Sequence, residues 1–88
     1  MHFYNMTLYD DISFVVRAKN REKVFKTLTE PKTPTQISKE LGINLGFVSN
    51  ILIELKERKL VECLSPNEKR HRFYKITKKG KDLLKKIQ

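Results

Sequence analysis

Acidic residues are scarce in this chain: 10 Asp/Glu stand against 19 Lys/Arg in 88 residues, a formal net charge of +9. A polyanion is the natural partner of such a surface, because each Lys or Arg set on a phosphate releases condensed counterions. Cysteine occurs once, at Cys63, so no internal disulfide forms, which fits a reducing, cytoplasmic setting. The two histidines, His2 and His71, lie far apart and offer no zinc-ligand spacing, and no metal or other cofactor is expected. The three glycines, Gly42, Gly46 and Gly80, are scattered at expected helix boundaries and cannot make a phosphate-binding loop. Long apolar runs are missing, and the start MHFYNMTLYDD has no cationic leader ahead of an apolar core; neither a membrane span nor a secretory signal is expected. Cys63 sits in a strand-like run, where a small buried side chain is its usual role. These absences argue against an enzyme.

The length allows one modest core, and the expectation is a single domain over 1–88 with no second catalytic or ligand-binding unit. No internal repeat, low-complexity tract or long linker interrupts it. The charge is uneven: residues 1–55 hold 7 Lys/Arg and 6 Asp/Glu, whereas residues 56–88 hold 12 and 4. The competing reading of that half is a lysine-rich face that merely keeps a protein soluble or joins surface ion-pair networks.

Two short helices in tandem are expected within 33–59. Thr33 caps the first, Pro34 suits its first position, and Gln36 completes a capping box. Ile37 and Leu41 share its inner face, Gly42 ends it, and Asn44 caps the next helix. In that second helix Val48, Ile51, Leu52 and Leu55 form one apolar stripe, which turns Gly46, Ser49, Asn50, Ile53 and Glu57 outward. LVECL, SPNEK and RHRFYKI then read as strand, turn and return strand, a hairpin over 60–76. Thr77 caps a last helix over 77–88, with Leu83, Leu84 and Ile87 on one face.

Ahead of this unit, Thr7 is expected to cap a helix over 8–17 with Leu8, Ile12 and Val15 on one face and Val16 beside them. Asn20 is expected to cap a helix from Arg21 to Thr29 with Val24, Phe25 and Leu28 inward, and Glu30, Pro31 and Lys32 break it. Phe3, Tyr4, Tyr9 and Phe14 add apolar surface beyond what one small domain obviously needs. A homodimer through the N-terminal or C-terminal helix, or both, would use it; completion of the monomer's own core is the alternative.

The chain resembles the small archaeal and bacterial winged helix-turn-helix regulators of the ArsR-like and MarR-like kind. The resemblance runs from NREKVFKTL, through TQISKELGINLGFVSNILIELKERKLV, to the hairpin and the closing YKITKKGKDLL. It implies an α+β winged helix-turn-helix: a three-helix core, a two-stranded β-hairpin wing, and flanking N- and C-terminal helices. It further implies that residues 45–59 form the recognition helix and 65–71 the wing tip. An ArsR-like metal sensor needs a cluster of thiolates or imidazoles, which a single cysteine does not supply.

The function expected is binding of double-stranded DNA in the regulation of transcription. Lys39, Asn44, Gly46, Phe47, Ser49, Asn50 and Ile53 are the candidates on the recognition helix and turn. Asn50 can pair with adenine, Ser49 with a base or phosphate, and Ile53 either with a thymine methyl or with a neighbouring element. Phe47 is expected to pack on the first helix or the turn in preference to nucleic acid, given what an aromatic gains by burial. Lys69, Arg70 and Arg72 are the wing candidates, for backbone phosphates or a minor groove, against the ordinary polarity of an exposed hairpin tip. Lys39 and Arg58 are candidate phosphate holders. Lys78 and Lys79, with Lys81, crowd the positive end of the last helix at a cost of ~0.3–1 kcal/mol each, which a phosphate backbone would offset; the family's Thr-x-x-Gly start offers a quieter explanation. No arginine faces outward in the first turns of the recognition helix, unlike many readers of guanine. The rival functions are a winged helix used for protein or RNA interaction, hinted at by Glu54 and Glu57, and a DNA-coating protein without sequence preference.

Overall fold

Residues 3–65 and 72–87 of the protein are described in a computed structural model. The elements run α1 (Phe3–Arg17), α2 (Lys19–Thr27), α3 (Pro34–Leu41), α4 (Leu45–Glu57), β1 (Val61–Cys63), β2 (Tyr74–Ile76) and α5 (Lys78–Ile87). This is the winged helix-turn-helix arrangement expected from the sequence. The helices α2, α3 and α4 pack on one another, the hairpin follows α4, and α1 and α5 pack beside each other, sending Val15 and Leu83 into the same buried core.

The turn between α3 and α4 is built as its residues dictate. The Thr33 hydroxyl accepts the Gln36 N–H at 3.1 Å while the Gln36 side chain accepts the Thr33 N–H at 2.8 Å, a complete capping box. Gly42 ends α3 with φ 66°, the left-handed conformation that glycine adopts without a Cβ penalty. Asn44 Oδ1 then accepts the Gly46 N–H at 2.8 Å and starts α4. Ile37, Val48, Leu52 and Leu55 are fully buried between the two helices and α2, which holds the outward face of α4 in a fixed direction.

Four boundaries differ from those expected, the first being the end of α2 at Thr27 rather than Thr29, where the Leu28 N–H turns back to the Phe25 carbonyl at 3.3 Å. Helix α1 begins at Phe3, so Thr7 lies inside it; no proline or glycine occurs among the first 17 residues to stop it earlier. Helix α2 begins at Lys19 after Ala18, which makes no side-chain cap bond, and Asn20 falls in the first turn. Ala18 is extended, and its carbonyl accepts the Glu22 N–H at 3.0 Å as the first hydrogen bond of the helix. Helix α4 stops at Glu57 rather than Lys59, because Lys59 turns left-handed with φ 63°. The Leu60 N–H then reaches back to the Leu55 carbonyl at 3.0 Å, satisfying a carbonyl that the helix end would leave open.

The hairpin is antiparallel, with Val61 opposite Ile76, Glu62 opposite Lys75 and Cys63 opposite Tyr74. Its base is widened by Lys32, whose N–H and carbonyl exchange bonds of 3.0 and 2.8 Å with Tyr74. The Lys32 ammonium also donates to Glu40 at 2.8 Å and Thr27 at 3.1 Å, tying the approach strand to α2 and α3. The bond from Lys32 foremost, and one that the Thr27 hydroxyl donates to Glu40 at 3.0 Å, hold the Glu40 carboxyl below its ordinary range. Burial pushes the Tyr74 phenol up. Helix α5 starts as expected: the Thr77 hydroxyl accepts the Gly80 N–H at 3.0 Å and itself donates to the Lys59 carbonyl at 2.7 Å.

Candidate nucleic-acid interface

The outward face of α4 is a line of uncharged residues. Gly46, Asn50 and Ile53 follow one another at spacings of four and three, so they stack one above the next on the side opposite Val48, Leu52 and Leu55. Gly46 and Asn50 are exposed and Ile53 is 50% exposed; Ser49, at the edge of the line, is half-buried. Glu57 ends the line, and Lys56 stands to one side, both exposed. Lys39 is exposed on α3. Asn44 is exposed, but its side-chain carbonyl is taken by the cap, which leaves its NH2 group as the available donor.

Phe47 departs from expectation. The residue is 62% exposed, not buried against α3 or the turn. The reason is rotational: Phe47 sits about 100° from Val48 on the helix wheel, at the edge of the buried stripe. Leu45, 46% exposed at the start of α4, adds to the same apolar margin.

Lys78 and Arg72 are exposed, Lys78 at the first position of α5 and Arg72 just before β2. Lys69 and Arg70, expected at the wing tip, lie outside the described residues. Lys79 is committed within the protein: its ammonium donates to the Arg58 carbonyl at 2.9 Å and lies 3.1 Å from Asp11 Oδ2. Arg58, a candidate phosphate holder, is likewise committed. Its guanidinium bonds Asp11 Oδ1 at 3.0 Å and lies 3.9 Å from the centroid of the Phe14 ring. Of the α5 lysines read as misplaced at the positive helix end, Lys79 therefore already has an anion.

Asp11 is the residue that sequence reasoning passed over. It is 3% exposed and binds cations from both α4 and α5. Arg21 joins the same knot, donating from Nε to the Phe14 carbonyl at 2.6 Å, lying 3.7 Å from the Phe14 centroid and pairing with Glu54 at 3.6 Å. The signal was available: Leu8, Asp11, Ile12 and Val15 share one helical stripe, and a carboxylate on a buried stripe requires a cation. The knot fixes the C-terminal end of α4 against α1 and α5, so it sets the direction in which the Gly46–Asn50–Ile53 line faces.

Among the described residues no group of three His, Cys, Asp or Glu side chains is arranged to hold a metal ion, and no helix is long and apolar enough to cross a membrane.

Comparison with known proteins agrees with this geometry. A family model described as a winged helix-turn-helix matches residues 22–88. No curated protein sequence matches the chain. Among solved structures, MarR of Escherichia coli in its apo form is similar with a TM-score of 0.72 and 26% identity over 92% of this chain and 62% of that one. The homodimeric winged helix-turn-helix DNA-binding domain of a possible ArsR-family transcriptional regulator from Mycobacterium bovis gives 0.70 and 21%, over 96% of this chain and 75% of that one. FabT of Streptococcus pneumoniae, solved in complex with DNA, gives 0.60 and 24%, over 97% of this chain and 68% of that one. The chain thus spans less than two thirds of the Escherichia coli protein.

Proposed function

The chain belongs to the winged helix-turn-helix family, and from that premise we propose that it binds double-stranded DNA and regulates transcription, with α4 in the major groove and the basic hairpin on backbone phosphates or in the minor groove. The observation that carries this reading is the uncharged, exposed line Gly46–Asn50–Ile53 on a rigidly held helix, followed directly in the chain by residues 56–88, which hold 12 Lys/Arg against 4 Asp/Glu. A groove-reading face needs side chains that meet base edges, while the cations that meet phosphates belong beside it. Lys39, Lys78 and Arg72 on the described surface, together with Lys69 and Arg70, are the phosphate contacts; Asn44, Gly46, Phe47, Ser49, Asn50 and Ile53 face the groove. Lys79 supports the site by holding Asp11 and Arg58 and contributes less to phosphate binding than Lys78.

The active form is a homodimer through α1 and α5. Tyr9, 68% exposed, and Val16, 41% exposed, flank Ser13 on one outer face of α1, and the Mycobacterium bovis domain is itself homodimeric. A two-fold axis there presents two α4 helices to a palindromic site. The protein acts by binding, not catalysis, in the cytoplasm with the DNA it regulates.

Two substitutions separate the roles. Asn50→Ala should reduce discrimination among duplex sequences by about 1–3 kcal/mol, whereas Arg70→Ala should weaken every sequence alike and lower the salt slope by about one. Competition titrations with a panel of duplexes at several salt concentrations read both effects. Identical losses from the two variants on every duplex would refute the division.

A further inference from the structure

The apolar residues on the reading face are out of place for a surface that meets only phosphates and water. Ile53 is 50% exposed in the middle of the outward face, one turn beyond Asn50, and no Lys or Arg stands on the Gly46–Asn50–Ile53 line. Within a major groove the only apolar group that a base edge presents is the thymine methyl. We infer that Ile53 reads a thymine methyl on the base pair next to the one whose adenine Asn50 contacts, so that the target carries adjacent A·T pairs at the centre of each half-site.

The spacing supports the pairing. Asn50 and Ile53 are three residues apart, about 4.5 Å along the helix axis, and successive bases of a strand are separated by about 3.4 Å. A helix lying along the groove therefore places the two side chains over neighbouring base pairs. Gly46, one turn before Asn50 and without a side chain, lets the N-terminal part of α4 approach the base edges closely enough for an amide to reach them. The occupant is fixed by the surroundings: an isoleucine with exposed Lys56 three residues on, just ahead of residues 56–88 with their 12 Lys/Arg against 4 Asp/Glu, meets a polyanion whose interior edge is apolar at thymine alone. Phe47 stands at the side of the line, off its axis, and is not needed for the contact.

The inference rests on the DNA-binding reading, and one experiment separates their failures. The wild-type protein is used to select duplexes from a randomised library, and the best duplex is remade with deoxyuridine in place of thymidine at each position in turn. Deoxyuridine keeps the Watson–Crick pairing and removes only the methyl. The expected result is a loss of about fourfold in affinity at one position per half-site, the factor that burial of one methyl-sized group is worth. Ile53→Ala, at an exposed position where folding is not at stake, should bind the thymidine and deoxyuridine forms equally. Selected duplexes whose affinity is indifferent to every deoxyuridine, or a deoxyuridine effect that persists in Ile53→Ala, overturns the inference and leaves DNA binding intact. Salt-sensitive binding with no enrichment of any sequence overturns it in the same way. Failure to bind any duplex overturns the DNA-binding reading and this inference together.

Discussion

Substituting alanine for Gly80 is expected to destabilise the protein, although the position lies inside a helix where alanine is ordinarily the better residue. A Cβ on Gly80 would overlap the Leu60 carbonyl oxygen and come within 2.6 Å of Ile76 Cγ1. Neither neighbour can yield freely. The Leu60 carbonyl accepts the Thr77 N–H at 3.0 Å, and Ile76 is buried and paired with Val61 across the hairpin. The overlap costs about 3 kcal/mol against the ~1 kcal/mol that alanine gains over glycine in a helix. The net loss of about 2 kcal/mol lowers Tm by roughly 8–16 °C in a domain of this size. Thermal unfolding followed by far-ultraviolet circular dichroism measures it. A raised Tm would mean that helix propensity outweighs the close approach of α5 to the hairpin.

Asp11→Ala is the second large effect. Removing one member of a buried pair costs about 3–5 kcal/mol when the abandoned charge stays buried. Here the abandoned cations, Arg58 and Lys79, are 38% and 46% exposed in their side chains and can rehydrate, which discounts the figure to about 2 kcal/mol. The neighbouring Asp10 is exposed, and Asp10→Ala serves as the control, with a change within about 0.5 kcal/mol. Urea unfolding of the two variants decides the matter. Equal midpoints would show that the Asp11 knot carries no stability and does not hold α4 against α1 and α5.

The local grammar of the turn was legible from the residues alone. Thr33, Pro34, Gln36, Gly42 and Asn44 each do in the structure what their chemistry predicts, because caps depend on neighbours three or four residues away and on nothing distant. The apolar stripe of α4 was equally legible and fixed which side chains turn outward. The N-terminal boundaries were not. Thr7 and Asn20 are good caps in isolation, but packing of α1 on α2 and α5 carries the helices past them. Long-range partners were the second blind spot. Arg58 and Lys79 look like free cations in sequence, and only the fold brings Asp11, 47 residues from Arg58, between them. The exposure of Phe47 escaped for a related reason: an aromatic's preference for burial says nothing about whether its place on the wheel has room.

The central claim is tested most directly by fluorescence anisotropy of the purified protein with labelled duplex DNA from upstream of its own gene, a scrambled duplex and a single strand, at several salt concentrations. The account predicts tightest binding to the upstream duplex, weaker binding to the scrambled duplex and to the single strand, and an affinity that falls linearly with salt on logarithmic axes as phosphate contacts are lost. Absence of duplex binding near physiological salt, or equal binding of single strand and duplex, would contradict it.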